Sequence, residues 1–365
     1  MPKIINPDKR QQMKLDILKL LSVDGRASIQ DMAKKLGVPK TTAYNLFLEV
    51  EKEYGLKFVP EININQIWKY ELVKLSREGS KREILSKTID KMHDIGFEEY
   101  VIFIKFLGKI PLENEIRTAL ESSYIPQFAA IVRGTYDLVV YGVCRSYRDI
   151  DSLVISVGNK LKYYDFRAEV NRIERTFGYF PIRSELIKQF SISDNYKNLM
   201  FNLNKNGRME LKKVEENNPS KSQNYNLEKL KKTGILNRIT YYETKPKNVI
   251  NAIIRFSVIN HAKFSNSKIK WFTDFVNSNK NSHNEYVLIC DISNPQGVLI
   301  FCSFENNQKA ESFFSQIKNS LNGVEFEYIT MSVTLLGNKG IRNFDTTYTD
   351  QNKELERLKI INKTK

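Results

Sequence analysis

The chain has 365 residues, of which 41% are hydrophobic and 11% aromatic, which excludes both a single small module and a largely disordered chain. Its 57 Lys and Arg residues outnumber its 42 Asp and Glu residues, and the net charge of +15 favours nucleic acid as a partner. The sequence contains no run of about 18 apolar residues and no signal-peptide core at its start, so we expect a soluble, cytoplasmic protein without membrane contact.

The cysteines and histidines form no pattern that is typical of a metal site or of a catalytic nucleophile. The cysteines are dispersed in apolar runs without a Cys-x-x-Cys pair: Cys144, Cys290 and Cys302. The histidines are far apart in the sequence: His93, His261 and His283. We therefore predict buried structural thiols and no metal, cofactor or catalytic residue.

An internal repeat divides the chain into two halves. The segment from Asp24 to Arg26 recurs as Asn206 to Arg208, with neighbouring apolar positions, at an offset of 182 residues. A second apolar set, from Val139 to Leu161, recurs from Leu299 to Leu321 at an offset of 160. The shorter offset requires about twenty extra residues in the first half, and we attribute them to a helix inserted between positions 80 and 97.

The first repeated module is predicted to contain three short helices and a hairpin. The first helix begins at Pro7, a residue favoured in a first turn. Ser28 and Asp31 have the spacing of a capping box that opens the second helix, and Gly37 ends that helix. A third helix follows at once and stops near Tyr54, and the residues after it form a strand of the kind found in a wing.

Two short helices joined by a tight glycine turn resemble the helix-turn-helix, which inserts the start of its second helix into the major groove of DNA. The residues expected to contact DNA are polar, basic or aromatic: Lys40, Thr41, Thr42, Tyr44, Asn45 and Arg26. Asn can bind adenine, Lys can reach guanine or phosphate, and Thr can contact phosphates or thymine methyl groups. The alternative is an ordinary helical hairpin with a solvated face.

The sequence here resembles the Lrp/AsnC family of prokaryotic transcription regulators. Two segments carry the resemblance, LDILKLLSVDGRASIQDMAKKLGVPKTTAYNLFLEVEKEYGL at residues 15–56 and IVRGTYDLVVYGVC at residues 131–144. The shared positions are Leu15, Asp16, Asp24, Gly25, Arg26, Ala33, Gly37 and Thr41. The chain departs from the family at Pro39, because the family usually has a serine cap one residue before its proline.

The second module has the element order β-α-β-β-α-β, which is ferredoxin-like. Its predicted strands span residues 100–106, 127–132 and 138–144, and its predicted helices span 112–121 and 150–161. In the family this domain dimerises through its sheet and binds small molecules, typically amino acids, near one turn. The resemblance places an effector site on the matching turn: Gly134, Thr135, Tyr136 and Asp137. The alternative is a plain hairpin turn in which Gly134 supplies a positive φ.

The second half keeps this order of elements but has a degenerate helix-turn-helix. Residues 196–250 nevertheless hold 12 basic and 5 acidic residues, against 11 and 8 in residues 1–67, so charge favours phosphate contact. A further set of candidate DNA contacts lies at the expected start of the second recognition helix: Lys221, Ser222, Gln223 and Asn224. A merely solvated helix face is the alternative.

The sequence therefore predicts an α+β fold with two repeats, each a winged helix-turn-helix followed by a ferredoxin-like βαββαβ domain. The predicted domains are a winged helix-turn-helix at 1–67, a linker with an inserted helix at 68–97, a sensor domain at 98–185, a degenerate winged helix-turn-helix at 191–245, a second sensor domain at 246–341 and a polar tail at 342–365. We expect the two sensor-like domains to pair within one chain as a pseudo-dimer, with homodimerisation as a further option.

Three functions are compatible with these features. The favoured one is a transcription regulator that binds double-stranded DNA with sequence preference and senses an amino-acid effector. The alternative is an architectural protein that coats DNA with little sequence preference and without an effector. An enzyme is also conceivable, because the siroheme decarboxylases resemble Lrp/AsnC proteins. Their chemistry uses histidines at a tetrapyrrole pocket, which three scattered histidines support poorly, so the sequence predicts no enzyme.

Overall fold

The computed structural model describes residues 7–64, 66–67, 97–178, 181–211, 223–244, 250–258, 285–293, 296–304, 306–320 and 324–337. Three sequence predictions lie outside these ranges, namely the inserted helix of the linker, the polar tail, and the placement of Lys221 and Ser222. All three histidines also lie outside them. No helix in the described part of the chain is long and apolar enough to cross a membrane.

The first half begins with three helices and a strand. They are α1 (Pro7–Val23), α2 (Ile29–Leu36), α3 (Lys40–Tyr54) and β1 (Leu56–Ile62). A ferredoxin-like domain follows, with β2 (Glu98–Phe106), α4 (Glu113–Glu121), β3 (Pro126–Arg133), β4 (Leu138–Cys144), α5 (Tyr147–Lys160) and β5 (Phe166–Gly178). The bounds of β4 are those that its uninterrupted apolar run predicts.

The described elements of the second half follow the same order, with gaps at residues 212–222 and 259–284, which lie outside the described ranges. Its elements are α6 (Ser184–Ile187), α7 (Asp194–Lys205), α8 (Gln223–Lys232), β6 (Leu236–Glu243), β7 (Ile250–Val258), β8 (Glu285–Ser293), β9 (Gln296–Phe304), α9 (Asn307–Ser320) and β10 (Val324–Leu336). The α+β class with two repeats of a helix-turn-helix and a ferredoxin-like domain is therefore confirmed.

The two ferredoxin-like sheets join into one closed eight-stranded sheet with the order β10-β3-β4-β2-β5-β8-β9-β7. Each half supplies four strands, and the two junctions between halves, β5 with β8 and β10 with β3, are antiparallel. The junctions are equivalent, since Ile173 opposes Ile292 in one and Met331 opposes Val132 in the other. The halves thus pair within one chain about a pseudo-twofold axis, as the repeat predicts, and closure leaves no unpaired strand edge at either junction.

The pairing of the wing strands differs from the sequence prediction. The short strand after α3 was expected to belong to the wing of its own module, but β1 pairs with β6 of the other half. The antiparallel register centres on Val59 opposite Thr240 and Pro60 opposite Ile239. Because Pro60 has no backbone N–H, it can lie in this strand only where no ladder bond is needed from it. The two helix-turn-helix modules therefore share one small sheet.

The core follows from the alternation of side chains along the strands. Side chains on one face of the closed sheet, such as Phe103, Val139 and Phe301, are fully buried and belong to the same apolar cluster as the helix-turn-helix core. Side chains on the other face, such as Ile102 and Ile300, pack with the outer helices. Cys144 and Cys302 are buried free thiols, as predicted, and burial raises the pKa of both.

Candidate nucleic-acid interface

A capped turn fixes the angle between α2 and α3. The Ser28 hydroxyl accepts a hydrogen bond from the Asp31 N–H at 3.1 Å, and the Asp31 carboxylate accepts one from the Ser28 N–H at 3.2 Å, which completes the predicted capping box. Gly37 ends α2 in the left-handed region with a φ of 63°. The N–H of Val38 then donates to the Ala33 carbonyl at 3.1 Å, so α3 begins two residues later at Lys40.

The outer face of α3 carries most of the predicted DNA contacts. Its inner face is buried through Ala43, Leu46, Phe47 and Val50. The exposed residues occur at helical spacing on the opposite face: Lys40, Thr41, Tyr44, Asn45 and Leu48. Thr42 is half-buried at the side of this face. Leu48, which is 41% exposed, was not anticipated from the sequence, because an apolar residue in an amphipathic helix is expected to face the core.

Ion pairs from α1 hold α3 in place. Arg10 pairs with Glu49, and Lys14 reaches Glu53 at 2.9 Å and Glu49 at 3.4 Å. Hydrogen bonds from Arg10 outweigh the effect of burial and hold the pKa of Glu49 below its ordinary value, while the Glu53 partner raises the pKa of Lys14. These side chains leave the exposed face of α3 clear, so they orient it without covering it.

Arg26 has a different role from the DNA contact that the sequence predicted. Its guanidinium donates to the carbonyl of Gly207 at 2.7 Å and to the carbonyl of Met209 at 3.1 Å, both in the second half. Burial lowers its pKa, since the charged form loses water, although Asp24 lies nearby and opposes the shift. Arg26 therefore joins the two repeats, and its guanidinium is engaged in the protein.

The second-half candidates are also placed differently. Gln223 is only 2% exposed. Asn226, one turn further along α8, is also buried, and its Nδ2 donates to Gln223 Oε1 at 3.5 Å. Gln223 is thus excluded as a DNA contact, whereas Asn224 is exposed. The sequence offset of 182 holds at the turn that contains Arg26 and Arg208, but the buried positions of α8 match those of α3 at an offset of 180, so two residues are missing in between. Two residues turn a helix face by about 200°, which explains the error.

The predicted effector turn has the predicted backbone but side chains that already have partners. Gly134 adopts a φ of 135°, as a hairpin glycine is expected to. Asp137 accepts a hydrogen bond from Lys105 at 2.9 Å and another from the Phe106 N–H at 2.9 Å. Its carboxylate therefore ties the turn to the end of β2, and the effector site that the resemblance implies at this turn stays a prediction. Thr135 is exposed, and no functional partner is found for it among the described residues.

Tyr136 belongs to a charged cluster that links the halves inside the closed sheet. Arg255 is 7% exposed, pairs with Glu169 of the first half and lies 3.8 Å from Glu327 of the second. It also donates to the Tyr136 hydroxyl at 2.8 Å. Glu169 and Glu327 are equivalent positions of β5 and β10, and Arg255 occupies the β7 position that corresponds to Phe103 in β2. The sequence analysis missed this cluster, because its members come from four separate segments.

Comparisons with known proteins define the fold more than the activity. No protein-family model and no curated protein matches the sequence. Among solved structures, the chain is similar to the siroheme decarboxylase NirDL, with a TM-score of 0.53 and 10% identity over 94% of this chain and 99% of that one. It is also similar to the leucine response regulatory protein LrpA of Mycobacterium tuberculosis, with a TM-score of 0.31 and 14% identity over 48% of this chain and 96% of that one.

These comparisons correct one prediction. The sequence predicted no enzyme, but solved structures that match nearly the whole chain are of an enzyme, so that expectation is contradicted. At 10% identity the likeness shows a shared two-repeat fold. Within the described ranges, no group of three or more His, Cys, Asp or Glu side chains is arranged to hold a metal ion.

Proposed function

We propose that this chain is a tandem regulator of the Lrp/AsnC type that binds double-stranded DNA with sequence preference through α3. The observation that carries the proposal is the exposed face of α3. It presents Lys40, Thr41, Tyr44 and Asn45 immediately after a capped α2 and a left-handed Gly37 turn. A helix placed in this way can enter the major groove, where amide and hydroxyl groups bind base edges and an ammonium group binds phosphate.

The net charge of +15 supports the proposal, since the release of counterions from DNA favours a basic protein. Charge alone would also fit an architectural protein with little sequence preference. The two functions differ in whether Asn45 makes a base-specific contact. DNA binding through α3 does not require the amino-acid effector that the resemblance implies at the turn from Gly134 to Asp137, where Tyr136 and Asp137 already have protein partners.

Fluorescence anisotropy with DNA selected from a random pool tests the proposal at several salt concentrations. Asn45→Ala should cost about 1 to 3 kcal/mol on the selected site and little on scrambled DNA. Lys40→Ala should weaken both DNAs alike and lower the salt slope by about one. Asn159 and Lys160 are exposed neighbours on α5, far from the helix-turn-helix in the sequence, and their Ala variants are matched controls.

Equal affinity of wild type for selected and scrambled DNA would favour the architectural alternative. Wild-type affinity in both the Asn45→Ala and the Lys40→Ala variants would contradict the assignment of α3.

A further inference from the structure

The pairing of the wings makes α8 the counterpart of α3. β1 directly follows α3, β6 follows α8, and the two strands pair with each other in an antiparallel register with Phe58 opposite Tyr241. The helix that precedes each strand therefore corresponds to the other in the two repeats.

Burial supports this equivalence residue by residue. At an offset of 180, the buried Ala43, Leu46 and Val50 of α3 correspond to the buried Gln223, Asn226 and Leu230 of α8. A left-handed glycine follows each helix, directly after α3 at Gly55 with a φ of 60° and two residues after α8 at Gly234 with a φ of 72°, an offset of 179 residues. The two helices thus bury matching faces, although α8 buries two polar side chains where α3 buries apolar ones.

The exposed faces correspond too, and they carry the same residue types in exchanged order. Tyr44 and Asn45 on α3 correspond to Asn224 and Tyr225 on α8, and all four are exposed. Tyr225 is 58% exposed, close to the 49% of Tyr44. An exposed Tyr and Asn therefore lie side by side in the N-terminal half of both helices, where a recognition helix places its base contacts.

The exposed face of α8 carries three lysines and one glutamate, Glu228, which pairs with Lys231 at 3.3 Å. Lys229 lies over the rings of Tyr196 and Tyr225 at 5.9 Å from each, and Lys232 is exposed in the last turn. Residues 196–250 carry a net charge of +7, against +3 for residues 1–67. The second module is therefore more basic than the first, as suits contact with the phosphate backbone.

From this juxtaposition we infer that α8 is a second, different DNA-reading helix, and that one chain binds an asymmetric site composed of two unequal half-sites. Asn224 and Tyr225 contact bases in one half-site while α3 contacts the other, and Lys232 binds phosphate. Because the wings form one sheet, the spacing between the half-sites is fixed. The inference rests on the proposed function, since it requires that the chain bind double-stranded DNA.

Selection of bound sequences from a random double-stranded DNA pool, with the full-length chain, tests this inference. Wild type should select two different half-sites at one spacing. Asn224→Ala and Tyr225→Ala should remove the preference in one half-site and lower affinity about tenfold, whereas Asn45→Ala should remove the preference in the other. Asn159→Ala and Tyr163→Ala replace exposed residues of the same types outside both helices and should change neither.

Two further measurements sharpen the test. Insertion of about five base pairs should abolish the increase in affinity that the second half-site provides, because it turns one half-site to the opposite face of the DNA. Insertion of about ten base pairs should restore part of that affinity, because both half-sites then lie on the same face again. Lys232→Ala should lower the salt slope by about one, and Lys160→Ala should not.

A single half-site read by wild type, with Asn45→Ala sensitive and both α8 variants unchanged, would overturn the inference and leave the proposed function intact. Failure of wild type to bind DNA would overturn both.

Discussion

Arg26 and Arg208 lie at equivalent positions of the two repeats, and each donates hydrogen bonds to the turn that contains the other. Arg26 binds the carbonyls of Gly207 and Met209, and Arg208 binds the carbonyls of Gly25 at 2.7 Å and Ala27 at 3.1 Å. Arg208 also covers the rings of Phe47 and Phe58. The two arginines thus fix the orientation of one helix-turn-helix relative to the other, and they reach the turn before each module's second helix.

Removal of either arginine should destabilise the chain. Hydrogen bonds from a charged donor contribute about 1.5 to 3 kcal/mol, so Arg208→Ala should lower the free energy of unfolding by about 2 kcal/mol or more. Arg26→Ala should cost about 2 kcal/mol, because the Arg26 guanidinium binds two carbonyls and contacts no aromatic ring in the described part of the chain. Denaturant titration measures both, with the exposed Arg148→Ala as the control. Equal stability of all three variants would exclude the proposed role.

Substitution of Gly207 should cost more than substitution of Gly37, although Gly37 alone has a positive φ. A Cβ at position 207 would lie 2.6 Å from Ile239 Cγ2 and 3.0 Å from the Phe58 carbonyl carbon, so Gly207→Ala should lower stability by about 2 to 3 kcal/mol. Gly37 has open space around it and only its φ of 63° to oppose a side chain, so Gly37→Ala should cost about 1 kcal/mol. Thermal or denaturant unfolding of the two variants gives the order.

The charge of Arg255 should be needed as long as its two carboxylate partners are ionised. Arg255→Met leaves Glu169 and Glu327 facing each other without a cation, and the expected loss is about 3 kcal/mol of unfolding free energy. Adding Glu169→Gln and Glu327→Gln to that variant removes the repulsion and should restore part of the loss. If the triple variant is no more stable than Arg255→Met, the cost comes from packing and not from charge.

Acid should remove the contribution of Glu169 to stability. Burial raises the pKa of Glu169, but hydrogen bonds from Arg255 and Tyr136 outweigh burial and hold the pKa below its ordinary value. A carboxyl group whose pKa is lower in the folded state stabilises that state above its unfolded pKa, and this contribution disappears as the pH falls through the folded pKa. The difference in stability between wild type and Glu169→Gln should therefore shrink from about pH 7 to about pH 3. A difference independent of pH would contradict this assignment.

The sequence by itself determined the elements and the repeat. The start of α3 after Pro39, the whole of β4 and the left-handed turn at Gly37 follow from local features, namely an apolar run, a capping pattern and a residue without a side chain. The exposed Lys40, Thr41, Tyr44 and Asn45 were predictable for the same reason, because helical periodicity assigns each residue to the inner or the outer face.

Only the tertiary structure decided which segments meet. The choice of β6 as the partner of β1, the cross-repeat bonds of Arg26 and the cluster around Arg255 join residues far apart in the chain, and no local pattern encodes the partner of a strand edge or of a buried charge. The face of α8 was decided by packing, since its buried positions match those of α3 at an offset of 180 and place Gln223 in the core. Periodicity gives the face of a helix only once its register is known, and the two polar side chains that α8 buries, Gln223 and Asn226, hide that register in the sequence.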